Sequence, residues 1–576
     1  MSKLKTELEW QKNTLLKDGP YTSTKDIVIR VAKYKPNANI LADLDKKKNI
    51  VYHTAQDILN DVVSVGEGLI DLGLEGKHIA ICADNSYLYV ICDIAIASGV
   101  GVVTPIDVNA TNDLLITLLN RCDADAIICS HHVVKKLEEL LPNIPNLKTI
   151  ITIDKKVENY PYLKDIMEKG KVLAEKGYYL NKELDLSAPA KILFTSGTTG
   201  ANKGVVLSQN NLAANAMNCL GIKGENVNNT SMSVLPMHHA TEINTHIFCR
   251  MAAGRLTYIN DSMKNMLTNI KIFKPYVITI VPMIANAFYK AIWTNAKKAG
   301  KEEKLKKGIK LIKLLRKFGI DISHKLLTDV YAPFGGNLKQ IVCGGAMLNP
   351  EVVKGFSDLG VHITNGYGIT ECGPLVSMNT ETLDEVFSVG KVCNGLEYKL
   401  DNKNEDGVGE LCIKGKSVSL GYYKDEEATK AVFDKDGFFH TGDLARIDNE
   451  GRVFLAGRLK NVIILDNGKN VCPEEIELEV DNNIEYAKEC VAYIGQIGKD
   501  KLKQGICLGL YIEDEELRNN KEKIKEDFRA LNKTLPAYKQ INYINLVSSE
   551  YEKTSTKKIK RATVLNVHDP LNGIIL

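Results

Sequence analysis

Two periodicities take turns along this chain. From residue 52 onward, stretches with apolar positions three and four apart alternate with short, solidly apolar runs. The first pattern predicts amphipathic helices and the second buried strands. Residues 55–72 predict a helix stopped by Gly73, 78–83 a strand, 87–98 an apolar helix and 100–105 a second strand; 114–122 and 126–129 repeat the unit. The apolar run at 191–194 predicts a further buried strand. It is followed by a polar, glycine-rich stretch, a strand-like run at 205–208 and a helix over 209–219. Such alternation predicts an α/β fold of doubly wound, mostly parallel sheets. From Val389 the pattern shortens to strands separated by turns, which predicts a small antiparallel β subdomain over about 389–456. The residues after it predict a small α+β domain. The pattern thus divides the chain into a large N-terminal part and a smaller C-terminal one.

Length agrees with several cores, since 576 residues exceed what one hydrophobic core organises. Charged residues make up 25% and hydrophobic ones 44%, as in ordinary globular enzymes. A net charge of +3 gives no global reason to expect nucleic acid as a partner. The first ten residues are charged and amphipathic, unlike a signal peptide. No apolar run approaches the ~20 residues that span a bilayer. Thirteen cysteines without a Cys-x-x-Cys pair read as core thiols of a cytoplasmic protein. One local departure stands out. Residues 297–317 carry ten basic and two acidic residues, with Leu305, Ile309, Ile312 and Leu315 at helical spacing. That segment predicts a helix packed by its apolar side, with peripheral membrane contact as the alternative.

The chemistry is concentrated after the 191–194 run. Gly197, Gly200 and Gly204 allow backbone amides to converge on an anion; Thr195, Ser196, Thr198 and Thr199 add hydroxyl donors, and Lys203 a positive charge. That composition suits a triphosphate. It is not the G-x-x-x-x-G-K-[ST] loop, because Asn202 stands where that pattern needs glycine. The string Thr-Ser-Gly-Thr-Thr-Gly-x-x-Lys-Gly resembles instead the phosphate loop of the adenylate-forming (AMP-binding) superfamily. Asn365-Gly-Tyr-Gly-Ile-Thr-Glu371, Gly421-Tyr-Tyr423, His440-Thr-Gly-Asp443 and Gly457-Arg-Leu-Lys460 extend the resemblance, and the basic segment at 297–317 lies where long-chain fatty acid–CoA ligases of bacteria carry an insertion.

That resemblance implies a set of roles. Gly344, Gly345 and Ala346 would line the adenine and acyl sites, as would Asn365, Gly366 and Gly368; Tyr367 would stack on adenine and Thr370 donate to the α-phosphate. Glu371, with Thr195 as partner, would hold Mg²⁺ through hard oxygen ligands. His239 would sit on the acyl-pocket wall. Should the residues after Ala240 be helical, His239, Glu242 and His246 share a face and offer an alternative metal site. Asp443 would accept from both ribose hydroxyls, with Arg458 beside it. Lys460 would be the hinge between an N-terminal domain over 1–459 and a mobile C-terminal domain over 460–576, Gly468 and Lys469 the lining of a coenzyme A tunnel, and Lys558 the catalytic lysine. Lys557 departs from the family ending, Thr-Gly-Lys-Ile-x-Arg, by replacing its glycine. The implied activity is ATP-dependent adenylation of a carboxylic acid, expected to be a medium- or long-chain fatty acid, followed by thioester formation on coenzyme A. An acyl-AMP ligase or a carrier-protein-loading enzyme is the alternative. A catalytically dead binding protein would be expected to lack Lys558, Glu371 or Asp443, and all three are present.

Overall fold

The computed structural model describes residues 14–196, 202–221, 229–346, 348–379, 387–465, 470–499, 504–553 and 559–576. These described residues form two compact units, one of those within Met1–Tyr398 and Ile413–Phe439, the other of those within Lys399–Cys412 and His440–Leu576.

Unit one contains two sheets. Six strands are ordered Thr149–Thr152, Ala126–Cys129, His78–Cys82, Val102–Pro105, Pro189–Ser196 and Asn202–Ser208, parallel except for the last, which runs antiparallel to its neighbour. Nine strands make the second sheet. Its parallel centre is Gln340–Gly344, Val277–Ile280, Ser231–Ser233 and Thr257–Ile259, with antiparallel pairs toward both edges. The solid apolar runs are buried on both faces, as crossover topology requires: Ile79, Ile81, Val103, Ile127 and Ile192 are all 0% exposed.

Helix boundaries follow local chemistry. Ala55–Asp71 begins with a capping box in which Thr54 and Asp57 satisfy each other's backbone amides, and Leu72 closes it before Gly73 at φ +81°. The helix expected over 87–98 ends earlier, at Ala95. Ile96–Val100 winds as a π-turn through Gly99 at φ +155°, so the next strand starts at Val102 and not at Val100. A Cβ at Gly99 would lie 2.9 Å from the Tyr179 ring, so close packing as well as conformation requires glycine here.

One strand residue breaks the apolar pattern. Lys191 is fully buried on Pro189–Ser196, where its Nζ donates to Asp93 Oδ2 at 2.7 Å and to Asn244 Oδ1 at 3.0 Å. A buried ammonium is tolerated only when paired in this way, and the pairing ties the strand to the helices behind it.

A four-stranded sheet of Leu396–Asp401, Gly409–Gly415, Phe439–Ile447 and Val453–Arg458 corresponds to the predicted β subdomain. Unit two packs helices Pro473–Asn483 and Lys521–Asn532 on a sheet of Glu489–Gln496, Gln504–Tyr511, Tyr543–Val547 and Ile574–Ile575 around a core of Ile476, Leu508, Phe528 and Ile544.

Candidate active site

The antiparallel pairing of Pro189–Ser196 with Asn202–Ser208 sets Thr195 opposite Lys203 and Phe194 opposite Gly204. Of the expected phosphate-loop residues, Gly197, Thr198, Thr199 and Gly200 lie outside the described residues, as does the side chain of Ser196. A distant segment then docks along the second strand. Leu420 N–H donates to Val206 O, Val206 N–H to Gly421 O, and Tyr423 N–H to Gly204 O, at 2.8–2.9 Å. This docking sets the Tyr422 ring 4.6 Å beneath the Lys203 ammonium, a cation–π contact. The Tyr422 hydroxyl donates to Glu371 Oε1 at 2.9 Å, and Ser419 N–H to the Glu371 carbonyl at 2.7 Å. Thr195, Lys203, Tyr422 and Glu371 therefore gather on one edge of unit one. Tyr422 is the member for which the sequence motif offered no role. Its signal, the pair Tyr422-Tyr423 after glycine, names the segment without saying that it pairs with a strand more than 200 residues earlier.

Glu371 and Thr370 open a short turn, Thr370–Cys372, directly after the strand His362–Gly368. Asn365, Gly366 and Tyr367 lie on that strand, parallel to Gln340–Gly344, with Gly344 opposite Gly366. Gly345 holds φ +87°, and Ala346 follows it. A Cβ at Gly368 would come 2.5 Å from Pro374 O, so this turn is closed to larger residues. Gly344, Gly345, Gly366, Tyr367 and Gly368 line one end of a cavity of about 110 Å³, whose largely apolar wall includes Val342, Leu375 and Met378.

The histidine on this cavity is His246, while His239 lies outside the lining and packs its ring 4.1 Å from His238. Burial pushes His238 down to about 4, so it is neutral at physiological pH. Residues 241–247 do wind helically, as a π-turn, but His246 is otherwise engaged. Its Nδ1 bonds Glu242 Oε1 at 2.8 Å and its Nε2 bonds Ser231 Oγ, while Glu242 Oε2 accepts Leu235 N–H. The alternative metal reading of His239, Glu242 and His246 thus does not assemble. Among the described residues the group of three ligand-bearing side chains is Glu410, Cys412 and His440.

In unit two, Asp443 and Arg458 are direct partners across antiparallel strands, with Arg458 Nε 2.6 Å from Asp443 Oδ1. Asp443 is nearly buried, and the guanidinium balances its charge. Lys460 lies in the turn Leu459–Asn461 immediately after that strand. Gly468, Lys469 and Lys558 lie outside the described residues. Downstream of Lys558, Arg561 is anchored to the Pro473–Asn483 helix: Nη2 pairs with Glu477 Oε2 and lies 3.7 Å from Glu474, and Nη1 donates to Ala492 O.

The AMP-binding enzyme family matches residues 29–423, more than half of the sequence. The chain belongs to this family. Among its curated relatives, long-chain-fatty-acid–CoA ligase ACSBG2 of Rattus norvegicus is 28% identical over 455 residues, 72% of this chain and 67% of that one. Long chain acyl-CoA synthetase 6, peroxisomal, of Arabidopsis thaliana is 28% identical over 463 residues, 75% and 65% of the two chains. The match thus spans about two thirds of the length of these relatives. Two solved structures share the fold: the anthranilate CoA ligase AuaEII in complex with anthranoyl-AMP (TM-score 0.75, 18% identity, 95% of this chain and 97% of that one) and ATP-bound MatB from Rhodopseudomonas palustris (0.72, 19%, 94% and 98%). Among the described residues no helix is long and apolar enough to cross a membrane.

Proposed function

We propose that this chain is an ATP-dependent acid–thiol ligase. It adenylates a medium- or long-chain fatty acid and passes the acyl group to coenzyme A, releasing AMP and pyrophosphate. The observation that carries the reading is the gathering of Lys203, Tyr422 and Glu371 beside Thr195, on the same unit as a glycine-lined apolar cavity.

A carboxylate is a poor acyl donor because its leaving group would be oxide. Attack of its oxygen on the α-phosphorus, in line with departing pyrophosphate, converts that oxygen into part of AMP. The protein's share is positioning and charge stabilisation. Lys203 meets the charge of the outer phosphates, with Tyr422 fixing its ammonium. Thr370 donates to the α-phosphate, and Tyr367 and the 344–346 turn flank the adenine. The oxygen donors of Glu371 and Thr195 suit Mg²⁺, which would neutralise phosphate charge when bound. Asp443, backed by Arg458, accepts from the ribose hydroxyls. Lys558 bridges the carboxylate and the α-phosphate. Thioester formation needs the same carbonyl, so the residues after the hinge at Lys460 move, and the loop at Gly468 and Lys469 lines the path of the pantetheine thiol.

Acid-dependent ATP–pyrophosphate exchange tests the first half-reaction, and AMP release with and without coenzyme A the second. The panel takes short, medium, long-chain and aromatic acids. Exchange confined to medium and long chains, with coenzyme A-dependent turnover, is expected. Turnover only with a phosphopantetheinyl carrier protein would reassign the acceptor. Neither exchange nor AMP with any acid would end the ligase reading.

A further inference from the structure

The basic helix Glu302–Arg316 buries one apolar face and exposes two leucines among the lysines of the other. Leu305 and Ile312 are buried in the unit-one core, with Ile309 packed against it. At 100° per residue the positions of this helix facing away from that core are 303, 307, 310, 311 and 314. They hold Glu303, Lys307, Lys310, Leu311 and Leu314, and Phe318 and Ile320 follow in the turn beyond the helix end at Arg316. Leu311, Leu314, Phe318 and Ile320 are 44–74% exposed. A helix that only packs by one side would place polar residues at 311 and 314 as well. The lysines divide likewise. Lys301, Lys306 and Lys313 are paired with Asp329, with Glu302 and Glu303, and with Asp358. Lys304, Lys307, Lys310 and Lys317, which flank the exposed apolar stripe, have no carboxylate within 4 Å among the described residues.

We propose that this face docks on an anionic lipid bilayer, with Leu311, Leu314 and Phe318 entering the boundary between headgroups and acyl chains and the unpaired lysines meeting lipid phosphates. Apolar side chains ringed by ammonium groups are what such a surface selects, since burial of the stripe and attraction to anionic headgroups act together. A second copy of this chain is a poor occupant, because docking like faces would oppose the same lysines. Rested on the proposed function, the inference supplies a source of substrate: a long-chain acid partitions into the bilayer that the helix would hold the enzyme against.

The test is co-sedimentation of the full chain with phosphatidylcholine vesicles, with and without phosphatidylglycerol, in the absence of acid and ATP. Its outcome is therefore independent of the ligase reading. Binding should require phosphatidylglycerol and weaken as salt rises. The double variants Leu314→Glu/Phe318→Glu and Lys307→Glu/Lys310→Glu should each weaken it by about tenfold or more, with the melting temperature and the turnover of a soluble acid unchanged. Failure of the wild type to bind anionic vesicles, equal binding by wild type and both variants, or loss of self-association in sedimentation velocity as the variants' effect would each overturn the proposal.

Discussion

Tyr422 makes two contacts that one substitution separates. Tyr422→Phe keeps the ring under Lys203 and removes the hydroxyl from Glu371. A hydrogen bond to a carboxylate in a shielded site contributes about 1.5–3 kcal/mol, so the rate of ATP–pyrophosphate exchange should fall roughly tenfold or more with little change in the acid KM. Tyr422→Leu should lose more, since Lys203 then loses its platform too. An unchanged rate in the phenylalanine variant would remove Tyr422 from the machinery. Asp443 makes a contrasting case. Asp443→Ala leaves Arg458 without this carboxylate partner, and on the proposed ribose role KM for ATP should rise by about tenfold while the acid KM stays near wild type. Measuring both KM values by AMP release separates this from general loss of folded enzyme. The sequence revealed Asp443 and Arg458 as residues of interest, because each sits in its own local motif. It could not reveal Tyr422's role, or His246 as the cavity histidine, because each depends on which strand or helix face lies opposite.

Elements were legible where one local rule governs them. The stop at Gly73, the buried runs and the shift to short strands near Val389 all answer to spacing within a few residues. The break at Ile96–Val100 was not legible, because Tyr179, distant in sequence, decides it. The glycine turn at Gly368 yields a prediction. Gly368→Ala drives a Cβ toward Pro374 O, so the strand must shift; we expect a loss of about 1–3 kcal/mol in stability and a rise in KM for both ATP and acid. Denaturant unfolding checks the first and initial rates the second. The Pro473–Asn483 helix yields a pH prediction. Burial raises the Asp481 carboxyl to about 6. The folded state therefore keeps a proton that the unfolded chain releases from about pH 4 upward, and this contribution to stability is full at low pH and lost as pH rises through 6. Asp481→Asn removes the cost of ionisation. Relative to wild type it should gain about 3 kcal/mol at pH 7.5 and little at pH 4. Urea unfolding at the two pH values reads the difference, and an equal effect at both would show that the carboxyl ionises freely.

For the whole molecule, alternation of strand and helix gave the fold class, whereas strand order was beyond it: Asn39–Leu44 pairs with Thr257–Ile259 across more than 200 residues, and only tertiary packing selects that neighbour. The division of labour between halves of the reaction is argued at the same scale. Adenylation needs a positive charge shared between the attacking carboxylate and the α-phosphate as pyrophosphate departs. Thiol attack on the finished acyl-adenylate does not, since AMP leaves with its charge already held by the nucleotide site. Two adjacent ammonium groups, Lys557 and Lys558, could supply that charge. If Lys558 alone is aligned, Lys558→Ala should lower adenylation by about 10²–10³ while thioester formation from supplied acyl-AMP proceeds near the wild-type rate, and Lys557→Ala should change either half-reaction little. Equal loss of both halves in the Lys558 variant would mean that the lysine holds the fold or the nucleotide and not the transition state. Loss of adenylation in the Lys557 variant instead would reassign the role to the neighbouring ammonium.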